Sequence, residues 1–383
     1  MSELASEPSN AASSQVRRAE RAGAVSELAK SLARAEAAPE LGPVNVGEFE
    51  AAARERLDPV YYDYFASGAQ DEVTVAANET AFRRRTLIPR ILRGCARPKL
   101  DTAVLETDVS MPIVMAPTAF HRLICVEGEI ATGRAAAAAD VLMIAAMLST
   151  VTIEDIAATG AKLWFQLYIQ PDLAFTESLV RRAEAVGCRA LVVTVDSPTL
   201  GRNERGDRND FHDLPPGIFC PNMGGDGNVR NVVLSPEISW KHLDWLRATT
   251  RLPVLLKGVL HPADARLAVE HGVDGLIVSN HGGRQLDTTP ATLDRLPLIA
   301  EAVEGRVPLL VDGGVRRGTD VAKAMALGAD AVAIGRPVLW GLATGGEAGV
   351  QRVFELLRTE LSNAVTLLGA DSPAGLTRDQ VEP

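Results

Sequence analysis

Eight short apolar runs, each halted by a glycine, a proline or a polar residue, alternate with helix-like stretches and constrain this chain more than any other feature. The runs lie at 112–116, 142–147, 163–167, 190–195, 253–257, 275–279, 308–311 and 331–334. Helical patterns fall between and after them, at 127–139, 172–185, 262–270, 291–303, 319–327 and 347–368. Apolar runs that do not alternate with polar residues need cover on both faces, as strands of a parallel sheet wrapped by helices have. Eight strand–helix units over roughly 250 residues predict an α/β chain folded as a (β/α)8 TIM barrel. A doubly wound open sheet alternates in the same way, but eight units without an early GxGxxG place it second.

The segments outside this rhythm have their own readings. Residues 1–42 are rich in Ala, Glu, Ser and Arg and lack aromatics, which predicts a flexible or helical N-terminal arm, with an oligomer contact as the alternative. Residues 43–383 then form the barrel domain with its own N-terminal helical segment. Asn45 is placed to cap a first helix, and Asp58-Pro59 opens a second that carries Tyr61, Tyr62, Tyr64 and Phe65. After the fourth strand about forty residues rich in Gly, Asn, Asp and Pro form a long loop, which on a barrel stands at the active-site rim.

Composition excludes several functions. A formal charge of −10 argues against a nucleic-acid surface, since phosphate backbones need clustered positive charge. The apolar runs are strand-length and short of a membrane span, and the N-terminus lacks the apolar core of a signal peptide. Four cysteines without metal-ligand spacing predict reduced thiols, no metal and a cytoplasmic location.

The strand ends carry the chemistry. In a barrel they share one face, and here they bring together Pro117-Thr118-Ala119, Gln166 with Tyr168, Thr194 with Asp196, Lys257, and Ser279-Asn280-His281. Arg284 follows two glycines after His281, so a base and an anion clamp leave the same strand. Asp312-Gly313-Gly314-Val315-Arg316 and Gly335-Arg336 follow strands seven and eight, where barrels often build a phosphate site from glycine amides and a guanidinium.

These motifs resemble the FMN-dependent α-hydroxy acid oxidases and dehydrogenases, a family that includes glycolate oxidase, lactate oxidase and mandelate dehydrogenase. Ser-Asn-His-Gly-Gly-Arg-Gln at 279–285 matches its active-site signature, and the likeness extends over about 45–369. The resemblance implies FMN as cofactor, its phosphate held by Gly314, Arg316, Gly335 and Arg336 beside Gly313, and its ribityl chain near Asp312. Lys257 would face the flavin edge that gains negative charge on reduction, with Pro117, Thr118, Ala119, Gln166, Thr194 and Ser279 against the ring. It implies that His281 is the base, Asp196 its partner, Arg284 the carboxylate clamp, and Tyr64 and Tyr168 hydrogen-bond donors to substrate. Oxygen, a quinone or a redox protein would accept the electrons, and the assembly would be a homo-oligomer, commonly a homotetramer.

Three departures from the family pattern bear on the substrate. Asn203 stands where a second carboxylate-binding arginine is usual, which leaves Arg202 or Arg205 to substitute or one arm of the clamp missing. A charge-assisted hydrogen bond of that kind contributes roughly 1.5–3 kcal/mol. Ala145-Ala146-Met147-Leu148 replaces a Ser-Ser pair and the residues after it, and Cys125-Val126 replaces His-Pro before Glu127-Gly128. The expected reaction is oxidation of a 2-hydroxy acid larger or more apolar than glycolate. The alternatives are oxidation of an alcohol or amine on a specialised metabolite, or a barrel that holds flavin without redox turnover.

Overall fold

The computed structural model describes residues 42–95, 97–224, 227 and 232–383. The expected N-terminal arm lies outside the described residues except for Gly42. From Asn45 to Pro383 the chain forms one compact unit.

Eight parallel strands close into a barrel: β1 Ile113–Met115, β2 Leu142–Ala146, β3 Lys162–Leu167, β4 Leu191–Thr194, β5 Val254–Lys257, β6 Gly275–Val278, β7 Leu309–Asp312 and β8 Ala331–Ile334. Each expected apolar run supplies one strand, trimmed or extended by a residue or two. Strand period two divides their side chains between two packed layers. Val114, Ile144, Trp164, Val192, Leu255, Ile277, Leu310 and Ala333 fill the interior, where Val104 and Val109 of the hairpin Thr102–Val104/Thr107–Val109 plug one end. Their neighbours, such as Ile113, Met143, Phe165, Val193, Leu256 and Val311, pack outward among the helices.

Three helices precede the barrel: α1 Val46–Arg56, α2 Pro59–Ala66 and α3 Val73–Arg84. Asn45 and Asp58 cap the first two, as their sequence positions predict. The third was not expected. Its N-cap residue Glu72 is left-handed at φ 59 and makes no side-chain cap. The Asp287 carboxylate serves instead, accepting from Thr74 N at 2.9 Å and Val73 N at 3.3 Å. Because Asp287 follows β6, this cap ties α3 to the site loop.

Around the barrel run α4 Glu129–Ala139, α5 Ile153–Ala157, α6 Leu173–Ala185, α7 Glu204–Arg208, α8 Trp240–Thr249, α9 Pro262–Glu270, α10 Thr292–Val303, α11 Gly318–Ala326 and α12 Arg336–Leu367. The last helix differs from expectation by starting directly after β8 instead of at residue 347. Its helical course breaks at Gly346 (φ 58, ψ −138), and its two halves meet closely where a Cβ on Gly349 would lie 2.1 Å from the Gly341 carbonyl oxygen. No helix among the described residues is long and apolar enough to cross a membrane.

Candidate active site

The two-residue period that packs the barrel interior also builds the site. One step beyond Trp164, Val192, Leu255, Ile277 and Leu310, toward the C-terminal mouth, the same register reaches Gln166, Thr194, Lys257, Ser279 and Asp312. These polar groups satisfy one another across strands. Gln166 Nε2 donates to Thr194 Oγ1 at 3.0 Å, and Lys257 Nζ donates to Ser279 Oγ at 3.0 Å and lies 3.6 Å from Asp312 Oδ2. Lys257 is 4% exposed and Asp312 6%, so the ammonium has a buried counter-charge.

Above this layer lies a cavity of about 650 Å³. Its walls include Tyr64, Pro117, Thr118, Ala119, Gln166, Tyr168, Lys257, His281, Arg284, Asp312, Gly313, Gly314, Arg316, Gly335 and Arg336, together with Arg202 and Asn203. Asp196, Thr194 and Ser279 stand one layer behind and act on wall residues, Asp196 on His281, Thr194 on Gln166 and Ser279 on Lys257.

His281 takes a left-handed backbone at φ 58, which costs a non-glycine residue roughly 1–2 kcal/mol. Its neighbours hold it there. His281 N donates to Ser279 Oγ at 3.1 Å. Asn280 exchanges two side-chain hydrogen bonds with Asn78 of α3, at 2.8 and 2.9 Å. The imidazole Nδ1 is 2.9 Å from Asp196 Oδ1. Burial works against a charge on Asp196, but the neighbouring His281 and Lys257 and the hydrogen bonds from His281 and Ser197 outweigh it and hold the carboxyl down at about 2. Asp196 is therefore an anion at neutral pH and fixes Nδ1 as the protonated ring nitrogen, leaving Nε2 as the basic one.

Tyr64 and Tyr168 are half-buried, and desolvation raises both phenols above their ordinary range; Asp196 pushes Tyr168 further in the same direction. Both stay protonated donors. Tyr64 packs edge-on against Phe211 at 5.2 Å and lies under the Arg284 guanidinium at 5.0 Å. The other two tyrosines of α2 are packing residues, Tyr62 against Trp340 and Tyr61 against Phe211. Arg284 Nη1 donates to the carbonyls of Tyr64 (2.7 Å) and Ser67 (3.1 Å), and the side chain lines the cavity.

Three guanidiniums converge at one end of the cavity. Arg336 donates to the carbonyls of Phe65, Gly282 and Ser67. Its burial, together with the charges of Arg284 and Arg316, pushes it down to about 9. Arg316 pairs with Glu79 at 3.0 Å, and its buried Nε lies 3.9 Å from Glu50 Oε2 without a hydrogen-bond partner among the described residues. Asp312 Oδ1 is buried and equally without a partner among them. Gly314, at φ 87, admits no side chain: a Cβ there would lie 2.3 Å from the Asn78 carbonyl oxygen. Crowded cations suit an anion such as a phosphate, and a buried carboxylate oxygen without a donor suits a hydroxyl. A flavin mononucleotide offers both.

The loop after β4 has a different character. Asn203 caps α7, its side-chain oxygen accepting from Gly206 N at 3.1 Å. Arg205 is held by Asp63 at 3.2 Å and Glu72 at 2.5 Å, and Asp63 also accepts from Asn209 at 2.9 Å. Arg205 thus does not substitute for the missing arginine. Arg202 sits at the solvent edge, 71% exposed and 3.6 Å from Asp207. Phe120, Ala146, Leu148, Phe211, Leu214, Val232 and Leu234 add apolar side chains to the cavity lining, alongside the polar Asp207, His212 and Asp213 of the loop. Sequence reasoning missed the capping role of Asn203, which its three-residue spacing to Gly206 signals. The altered segment 125–128 lies off the site: Val126 is 91% exposed, and Glu127 pairs with Arg134 at 2.6 Å.

Comparisons with known proteins give the family. Residues 53–383 match the sequence model of the FMN-dependent dehydrogenase family. The chain is 45% identical over 337 residues to a 2-hydroxyacid oxidase of Dictyostelium discoideum, covering 85% of this chain and 87% of that protein. It is 46% identical to an L-lactate oxidase of a Nostoc species (85% and 94% covered) and 44% identical to glycolate oxidase of Spinacia oleracea (88% and 95%). One relative from Arabidopsis thaliana is named a peroxisomal (S)-2-hydroxyacid oxidase. Among solved structures, a mandelate oxidase variant bound to (S)-mandelic acid superposes with a TM-score of 0.84 at 42% identity, covering 89% of this chain and 98% of that one. The chain belongs to the FMN-dependent α-hydroxy acid oxidase and dehydrogenase family and is an enzyme that uses FMN to oxidise 2-hydroxy acids.

Proposed function

We propose that the 2-hydroxy acid this enzyme oxidises is larger and more apolar than glycolate. One observation carries the reading: the loop that would supply a second cation to the substrate carboxylate uses Asn203 as a helix cap and locks Arg205 onto Asp63 and Glu72. Arg284 is then the main carboxylate ligand, and the apolar wall of Leu148, Phe211 and Leu234 rewards a hydrophobic substituent.

In this reading Gly314, Arg316, Gly335 and Arg336 hold the FMN phosphate, and Asp312 takes a ribityl hydroxyl. Lys257 neutralises charge at the ring edge, while Pro117, Thr118, Ala119 and Gln166 bound the ring. Bound FMN supplies a two-electron acceptor for the substrate. His281 Nε2 accepts the substrate proton, and the Asp196 anion stabilises the imidazolium that results. Arg284, Tyr64 and Tyr168 would orient the substrate carboxylate and hydroxyl.

The reading extends to a cytoplasmic homotetramer with oxygen as acceptor. Free thiols at Cys95, Cys125, Cys188 and Cys220 support a reducing compartment, and the oxidase names of the relatives support oxygen over a quinone or a redox protein. The test of the substrate assignment is flavin bleaching without oxygen across a panel of 2-hydroxy acids. Bleaching by aryl or branched members at low concentration is expected, and equally fast bleaching by glycolate contradicts the reading.

A further inference from the structure

Behind the cavity wall, in a place the proposed chemistry does not use, lies a buried imidazole. His121 is 2% exposed, and its two ring nitrogens contact two hydroxyls: Nε2 lies 2.7 Å from Thr118 Oγ1 and Nδ1 lies 3.1 Å from Thr132 Oγ1. Its own backbone is fixed, since His121 N donates to the Glu129 carboxylate at 3.1 Å, which also accepts from Thr150 N and Oγ1.

The direction of the protons follows from the far end. Thr132 Oγ1 donates to the Glu129 carbonyl at 3.1 Å, so its lone pairs meet His121 Nδ1 and that nitrogen carries the hydrogen. Burial holds the ring below its ordinary range against the opposing charge of Glu129 and a backbone hydrogen bond with Thr118, so with Nδ1 carrying the one ring hydrogen Nε2 is the acceptor for Thr118 Oγ1. Thr118, a residue of the cavity wall, therefore gives its hydroxyl proton to His121, which leaves Thr118 Oγ1 only lone pairs for any further partner.

We propose that His121 is a positioning residue that locks the Thr118 hydroxyl as a hydrogen-bond acceptor toward the flavin and so favours the reduced cofactor. Two-electron reduction adds a ring N–H to an isoalloxazine, and an acceptor in the wall stabilises that form over the oxidised one. The inference rests on FMN lying against Thr118 in this cavity.

The test is the midpoint potential of FMN in the holoenzyme, read by spectroelectrochemistry. H121L frees the Thr118 proton and lowers the preference for reduced over oxidised FMN by roughly threefold to tenfold, the worth of one hydrogen bond; each tenfold is about 30 mV for a two-electron couple. T118V produces a shift of the same sign, the double variant adds nothing to it, and H121Q, whose amide oxygen still accepts from Thr118, keeps the wild-type value. H121N, polar but too short to span both hydroxyls, replaces H121L if leucine prevents folding. A shift in T118V with none in H121L or H121N overturns the role of His121 while leaving the cofactor site intact. No shift in T118V, with FMN still bound, overturns the proposal by removing FMN from Thr118, and with it that part of the site assignment.

Discussion

The two walls of the cavity are built by different physics. The wall facing the cofactor grows out of strand register: the period that buries Trp164, Leu255 and Leu310 necessarily presents Gln166, Lys257 and Asp312 two residues later. Moving one of those groups means moving the barrel. The wall made by the loop after β4 hangs from side-chain ties, Arg205 to Asp63 and Glu72, and Gly201 N to Gln285 Oε1 at 2.7 Å. Such a wall changes by point substitution without disturbing the core. Each half holds a departure from the family pattern, Ala145-Ala146 on strand β2 and Asn203 in the loop.

The comparison is broken most severely at the base. His281→Gln is expected to retain FMN and lose about 10²- to 10⁴-fold in the rate of substrate-driven flavin reduction, measured by anaerobic stopped flow. A near wild-type rate would remove His281 as the base.

Lys257→Met probes the strand-built wall. It strands the Asp312 carboxylate in a buried setting, so a loss of about 3–5 kcal/mol in denaturant unfolding is expected, alongside weaker FMN retention. An unchanged unfolding midpoint would show that this wall carries no such constraint.

Asn203→Arg probes the loop wall. It removes a helix cap, which costs about 1 kcal/mol, yet restores a second cation beside the substrate. The KM for glycolate should fall by roughly tenfold while the cofactor stays bound, as a charge-assisted bond of roughly 1.5–3 kcal/mol allows. A large loss of FMN instead would mean that the two walls are not separable.

The smallest effect concerns pH. Asp196 is held at about 2 from an ordinary 3.8, so its contribution to stability is complete above about pH 4 and is lost as pH falls toward 2. Asp196→Asn should flatten that part of the acid unfolding curve.

The same division explains what the sequence made legible. All eight strands and their polar ends could be read, because apolar runs of four to six residues with polar stops encode both the register and the mouth. The helix α3 could not: it opens on the β-branched Val73-Thr74-Val75, lacks a local cap, and is started by Asp287 far along the chain. The first half of α12 was hidden by Gly341, Gly345 and Gly346, which read as a loop until the close packing of its two halves is seen. The fate of Arg205 was equally hidden, since Asp63 and Glu72 lie more than a hundred positions away. Local signals specify strands and caps, and long-range partners decide what a loop cation does.

The most direct measurement is the ratio of anaerobic flavin-reduction efficiency for a phenyl-substituted 2-hydroxy acid to that for glycolate. Burial of an aromatic substituent against Leu148, Phe211 and Leu234 contributes about 1.5–3 kcal/mol, which corresponds to a ratio of roughly 10 to 100 in favour of the phenyl substrate. A ratio at or below unity would contradict the account of the loop wall.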